Sequence, residues 1–138
     1  GGSPDLTVSQ LAPAVYGDDI TVSPDDSVVA QLGTTVPVTV TVDDSFGTPQ
    51  AGWVVRALRG GTVIVSTATT GADGSASLSL TNASTAVNGT VEAFIYKAFP
   101  PIGSEVTATP GTQVTWSTSG AITSLTVTAA ATTGISDR

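Results

Sequence analysis

The chain of 138 residues contains no cysteine, no histidine and no methionine. These absences remove thiol and imidazole catalysis, zinc and haem ligation, and sulfur redox chemistry. A cysteine-free extracellular domain fits a bacterial or archaeal surface better than an animal one, where disulfides are the usual staple. Basic residues are nearly as scarce: Arg56, Arg59, Lys97 and Arg138 face 11 acids, for a net charge of −7. Four scattered cations form no basic patch, so nucleic-acid binding by counterion release has no footprint, and the same shortage argues against docking on an anionic membrane. No apolar run approaches the roughly 18 residues that mark a membrane span. No signal peptide is read at the start. Gly1-Gly2-Ser3 reads as a linker remnant, so the chain is expected to be an excised piece with no targeting information at its beginning.

Aromatic residues are few, at 5%, while hydrophobic residues reach 40%. Val, Ile, Leu and Ala must therefore build the core. A chain of this length buries roughly two-thirds of its unfolded surface, enough to fold as one domain without a disulfide or a metal. Charged residues make up only 11%, which leaves Ser and Thr to supply most of the polar surface, as in many secreted β-proteins.

What is abundant is alternation. Val36, Val38, Val40 and Val42 share one face of a run whose other face is Pro37, Thr39 and Thr41. Period-2 patterning in a β-branched run is the sequence signature of a half-buried strand. Further strands are read at Leu6–Val8, Ile20–Val22, Ser27–Leu32, Trp53–Leu58, Thr62–Thr67, Ser75–Thr81, Val91–Tyr96, Val106–Thr109, Gln113–Ser117 and Ser124–Ala129. Turn signals separate them: Ser23-Pro24-Asp25-Asp26, Arg59-Gly60-Gly61, Asp73-Gly74 and Asn88-Gly89. Phe99-Pro100-Pro101 cannot belong to a central strand, because proline donates no ladder hydrogen bond. No i, i+3, i+4 apolar pattern lasts long enough for a helix. Short strands with turns about every 8–12 residues imply an all-β fold, an antiparallel β-sandwich. Residues 18–119 are expected to form it. Residues 1–17 are expected to hold the linker, a first strand and the end of a preceding repeat. A last strand and a tail, or a link to the next repeat, fill 120–138.

After the valine strand comes D-x-x-G-x-P-x-x-G, with Asp44, Gly47, Pro49 and Gly52, and then the strand opened by Trp53. Further on, Thr70 to Leu78 reads T-G-A-D-G-S-A-S-L. These two motifs, in this order, resemble the bacterial immunoglobulin-like repeats of the Big-1 (invasin/intimin) type. The resemblance covers Thr39 to about Ala98. It departs at Thr48, where the family usually has Asn, and at Pro100-Pro101. A Cna-B-type or other bacterial Ig-like sandwich is the alternative. Either implies an immunoglobulin-like, Greek-key sandwich from a surface protein. Leu-Thr-Val occurs at Leu6–Val8 and again at Leu125–Val127, which suits a tandem array cut at equivalent strands; chance recurrence in a Thr/Val-rich chain is the plainer reading.

Few residues carry chemistry. The doublets Asp25-Asp26 and Asp43-Asp44, with Asp18-Asp19 and Asp73, offer carboxylates to a calcium ion, which takes about six to eight oxygens. No D-x-D-x-D-G loop accompanies them, and Asp in turns ordinarily caps backbone N–H groups. Glu92 and Glu105, the only glutamates, show no cleft for acid–base catalysis. Lys97 suits a surface position better than an isopeptide bond to Asn82 or Asn88, both of which lie in turns and head N-x-S/T sequons. Phe94 and Tyr96 share a face with Glu92, opposite Val91, Ala93 and Ile95. Were the aliphatic set inside, the two aromatics would form a platform for a sugar or a protein partner; with the faces reversed they are core, which a sandwich poor in aromatics favours. The expectation is a non-catalytic module of a prokaryotic surface protein, an S-layer subunit or tandem adhesin, that spaces, stiffens or self-assembles. Its partners would be neighbouring domains or identical subunits. A carbohydrate-binding accessory module of a surface enzyme, or a phage decoration or tail domain, is the alternative.

Overall fold

The computed structural model describes residues 14–118. After a short 3-10 turn at Gly17–Asp19, nine strands follow: β1 (Ile20–Ser23), β2 (Ser27–Gln31), β3 (Thr35–Val42), β4 (Val54–Arg59), β5 (Val63–Thr69), β6 (Ser75–Thr81), β7 (Thr90–Phe99), β8 (Val106–Thr107) and β9 (Thr112–Ser117). They form a three-stranded sheet in the order β1-β3-β6 and a six-stranded sheet in the order β2-β9-β7-β4-β5, with β8 added beside β7. Only β4–β5 and the β7–β8–β9 stretch connect within a sheet; the other connections cross between sheets. This is an immunoglobulin-like β-sandwich. The strands expected at Leu6–Val8 and Ser124–Ala129 lie outside the described residues.

The valine strand organises the three-stranded sheet as its alternation requires. Val36, Val38, Val40 and Val42 are buried, and β3 pairs antiparallel with β1 and β6. Leu78 lies opposite Val38 and Leu80 opposite Val36, so the inner face is a continuous aliphatic layer. The six-stranded sheet closes over it with Val55, Ala57, Phe94, Tyr96, Ala98, Val114 and Trp116. Phe94 and Trp116 meet edge to face, ring centroids 6.0 Å apart. The indole Nε1–H of Trp116 donates to the Thr34 carbonyl at 2.9 Å, which lets so large a group be fully buried.

Two features depart from a plain antiparallel meander. The hairpin at Arg59-Gly60-Gly61 forms as expected, with both glycines at positive φ, but the β4–β5 register shifts between Ala57 and Leu58. Such a bulge sharpens the local twist of the edge strand. The second departure is β2. It pairs parallel with β9, residue for residue from Ser27–Gln113 to Gln31–Ser117, while every other pairing among the described strands is antiparallel. The chain changes sheet between β1 and β2, so the first strands serve both layers.

The register defines two poles. At the first lie residues 14–19, the β3–β4 loop, the β5–β6 turn and the Pro-Pro segment, tied by a hydrogen bond from the Ser45 amide to the Ala14 carbonyl. At the second lie the turns 32–34, 60–62 and 82–89, and Thr118, whose amide donates to the Asn88 side chain.

Candidate functional site

The two sequence motifs meet at the first pole and build one corner. Asp44 is buried, and its Oδ1 accepts the amides of Phe46 at 2.8 Å and Thr48 at 2.9 Å, closing the loop around Gly47. Its Oδ2 receives Gln50 Nε2 at 3.3 Å. Thr70, also buried, joins the second motif to the first: its hydroxyl donates to the Gln50 carbonyl at 2.6 Å and accepts the Trp53 amide at 2.9 Å. The Val42 amide donates to the Gly74 carbonyl at 2.8 Å. Gly74 sits at φ +80°, and a Cβ there would lie 2.7 Å from the Val42 carbonyl oxygen. Only glycine allows the D-G turn to seat against the end of the valine strand. Asp73 caps that turn, accepting the Ser75 amide and hydroxyl, and these bonds hold its carboxyl below the usual range. The corner is a structural joint made of turn chemistry.

The four aspartates named for calcium are not brought together. Ile20 pairs with Val42 and Ser23 with Thr39, so Asp43-Asp44 and Asp25-Asp26 lie beyond opposite ends of β1. Both carboxylate oxygens of Asp44 are committed to its own loop. Asp18 accepts the Thr109 hydroxyl and Asp19 the Tyr16 amide. Among the described residues no three His, Cys, Asp or Glu side chains group so as to hold a metal ion.

The partner surface at Phe94 and Tyr96 is corrected as well. These side chains are 2% and 0% exposed, whereas Val91 and Ile95, on the opposite face of β7, are 58% and 36% exposed. Volume decides the phase: an aromatic ring removes more apolar area from water than a valine does. The Tyr96 hydroxyl lies 2.7 Å from Thr112 Oγ1, which donates onward to the Pro24 carbonyl. Burial raises the phenol's pKa, and the Thr112 hydrogen bond opposes that rise.

Facing the aromatics inward also turns Glu92 inward, and this residue explains one that sequence reasoning passed over. Arg59 Nε donates to Glu92 Oε1 at 2.9 Å, its terminal nitrogen donates to the Thr81 carbonyl at 2.6 Å, and its guanidinium lies 5.8 Å from the Phe94 ring centroid. The Ala83 amide donates to Glu92 Oε2 at 3.3 Å. The pair plugs the open end of the sandwich at the second pole. The available signal was an acid in phase with core positions, which demands a base nearby. Lys97 pairs instead with Glu105 at 3.2 Å.

The outer faces differ in kind. On the three-stranded sheet Ser23, Thr39 and Ser77 lie in one row and Thr21, Thr41 and Ser75 in the next. On the six-stranded sheet Val29, Thr115 and Val91 form one row, and Ile64, Leu58 and Ile95 another.

No protein-family model matches the chain, and no curated protein matches it. Among solved structures the chain is similar to that of WR4, a C. elegans MSP family member, at 9% identity and a TM-score of 0.44. That likeness covers 72% of this chain and 99% of the other. No helix among the described residues is long and apolar enough to cross a membrane.

Proposed function

We propose that this domain is a non-catalytic, load-bearing module of a prokaryotic surface protein, of the Big-1-like kind, working in series with neighbouring domains or identical subunits. The observation that carries this reading is the parallel β2–β9 ladder between opposite poles. The described chain begins at the first pole and ends at the second, and its first and last strands in the six-stranded sheet run side by side over five paired residues. Tension applied along the chain pulls β2 toward the first pole and β9 toward the second. The ladder is then loaded in shear, so its bonds must fail together rather than one by one. Each such bond contributes only about 1 kcal/mol net, yet simultaneous rupture of a ladder resists force far better than unzipping does.

The polar surface supports the same reading. Asp44 and Asp73 cap turns, Ser and Thr cover the outer face of the three-stranded sheet, and Phe94, Tyr96 and Trp116 are inside, while Tyr16 and Phe46 stand exposed at the first pole. The outer aliphatic rows at Val29, Val91, Ile95 and Ile64 are the side this module would offer to identical neighbours. Small-angle scattering of two copies joined head to tail tests the serial arrangement. An extended particle close to twice the length of one copy is expected. A compact, folded-over pair, or binding in a glycan screen with millimolar or tighter affinity, would favour the carbohydrate-binding reading.

A further inference from the structure

The second pole holds an Asn-Gly pair whose surroundings bear on its covalent fate. Asn88 and Gly89 are exposed in the turn before β7. Gly89 sits at φ +83°, with nothing within 4 Å of the place a Cβ would occupy. Both groups that take part in asparagine deamidation are nevertheless engaged by the end of β9. The Gly89 amide donates to the Trp116 carbonyl at 2.8 Å. Asn88 Oδ1 accepts the Thr118 amide at 2.7 Å and the Thr118 hydroxyl at 3.2 Å.

We propose that Asn88-Gly89 is a latent deamidation site, gated by docking of the β9 end. In the reaction the Gly89 nitrogen gives up its proton and attacks Asn88 Cγ. A C–N bond forms, the side-chain amide leaves as ammonia, and a five-membered succinimide remains. Water then opens one of its two carbonyls, leaving aspartate or isoaspartate at position 88. Glycine removes the steric obstacle to ring closure, so the pair is reactive whenever it is free.

Two effects of the native contacts compete. The bonds from Thr118 polarise the Asn88 carbonyl and favour attack, as an oxyanion site would. The bond to Trp116 keeps the proton on the Gly89 nitrogen and fixes the nitrogen in the turn. The second effect wins, because a polarised carbonyl is useless without a nucleophile that can reach it. Release of residues 116–118 frees both groups together. An isoaspartate formed then adds a methylene to the backbone and shifts Gly89 out of register with Trp116. The end of β9 cannot dock again as before, so the modification keeps a record of its opening.

The test follows deamidation of the full chain by peptide mapping, reading the mass gain and the isoaspartate content at position 88. Folded chain is compared with the same chain in denaturant, and exchange of the Gly89 amide is measured in parallel. The folded chain is expected to react at least about tenfold more slowly, as a local opening equilibrium of ordinary size implies. Thr118→Pro removes both donors to Asn88 and with them the tie that docks the end of β9, so Gly89 amide exchange and the native reaction are both expected to rise several-fold while tryptophan fluorescence reports intact folding. Should that variant fail to fold, wild-type chain in sub-denaturing urea serves: deamidation must rise in proportion to Gly89 amide exchange. Equal rates in folded and denatured chain, an unchanged or slower rate in a folded Thr118→Pro variant, or deamidation that does not track Gly89 exchange would overturn the proposal.

Discussion

On the three-stranded sheet every buried strand position is aliphatic, from Ile20 and Val22 through the four valines of β3 to Ala76, Leu78 and Leu80. Its outward positions are Ser and Thr, with Pro37 among them. On the six-stranded sheet the inward positions include Phe94, Tyr96 and Trp116, together with an Arg–Glu pair, while Val29, Ile64, Val91 and Ile95 stand outside. Hydrophobicity alone sorts the first sheet. Volume sorts the second, since both faces of β7 are apolar enough to be core and the larger set wins the limited interior. One sheet therefore tolerates no ambiguity of phase, and the other resolves its ambiguity by filling space and by neutralising the acid that comes inward with the rings.

Substitutions graded from core to surface sharpen this contrast. The largest effect is expected for Trp116→Ala, which empties the biggest fully buried side chain and orphans the Thr34 carbonyl, for a loss of about 4 kcal/mol in denaturant unfolding. The same truncation at Val40 on the other sheet should cost about 2 kcal/mol. Equal losses would show that the aromatics are not the principal filling. Next, Glu92→Ala leaves a half-buried Arg59 without its carboxylate, and a loss of about 2 kcal/mol is expected, kept modest by partial solvent access. A double-mutant cycle with Arg59→Ala measures the coupling, and a cycle near zero would make the pair ornamental. Smallest of all, Val91→Ser and Thr39→Ala, one on each outer face, should each change stability by no more than about 0.5 kcal/mol. A loss at Val91 comparable to that at Val40 would mean that the phase of β7 has been misassigned.

The same contrast sets what could be read from the sequence. Strands where polar and apolar residues alternate, β3, β6 and β1, were legible in position and in face. So were the turns at Gly60-Gly61 and Asp73-Gly74, because a left-handed backbone favours glycine. β7 was legible in position but open as to face, and its pairing runs past the expected end at Tyr96 to Phe99. The parallel register of β2 with β9 left no local trace, since a five-residue strand reads alike whichever neighbour it takes. Among candidate site residues, the place of Asp44 in a turn was plain, but a capping carboxylate and a metal ligand look alike until the N–H groups around it are located. Arg59 and Thr70 were missed because their partners lie far along the chain, at Glu92 and Thr81 for the first and at Gln50 and Trp53 for the second.

The central claim, that the domain carries load through the β2–β9 ladder, is tested most directly by single-molecule pulling in two geometries. Force is applied once through the chain ends and once through handles at Gly60 and Thr81, which strain the structure without shearing that ladder. The account predicts one abrupt unfolding event at clearly higher force through the ends, lowered when proline is placed at Val28 or Val29, whichever directs its amide toward β9. Unfolding at equal or lower force through the ends, or no effect of either proline, would contradict it.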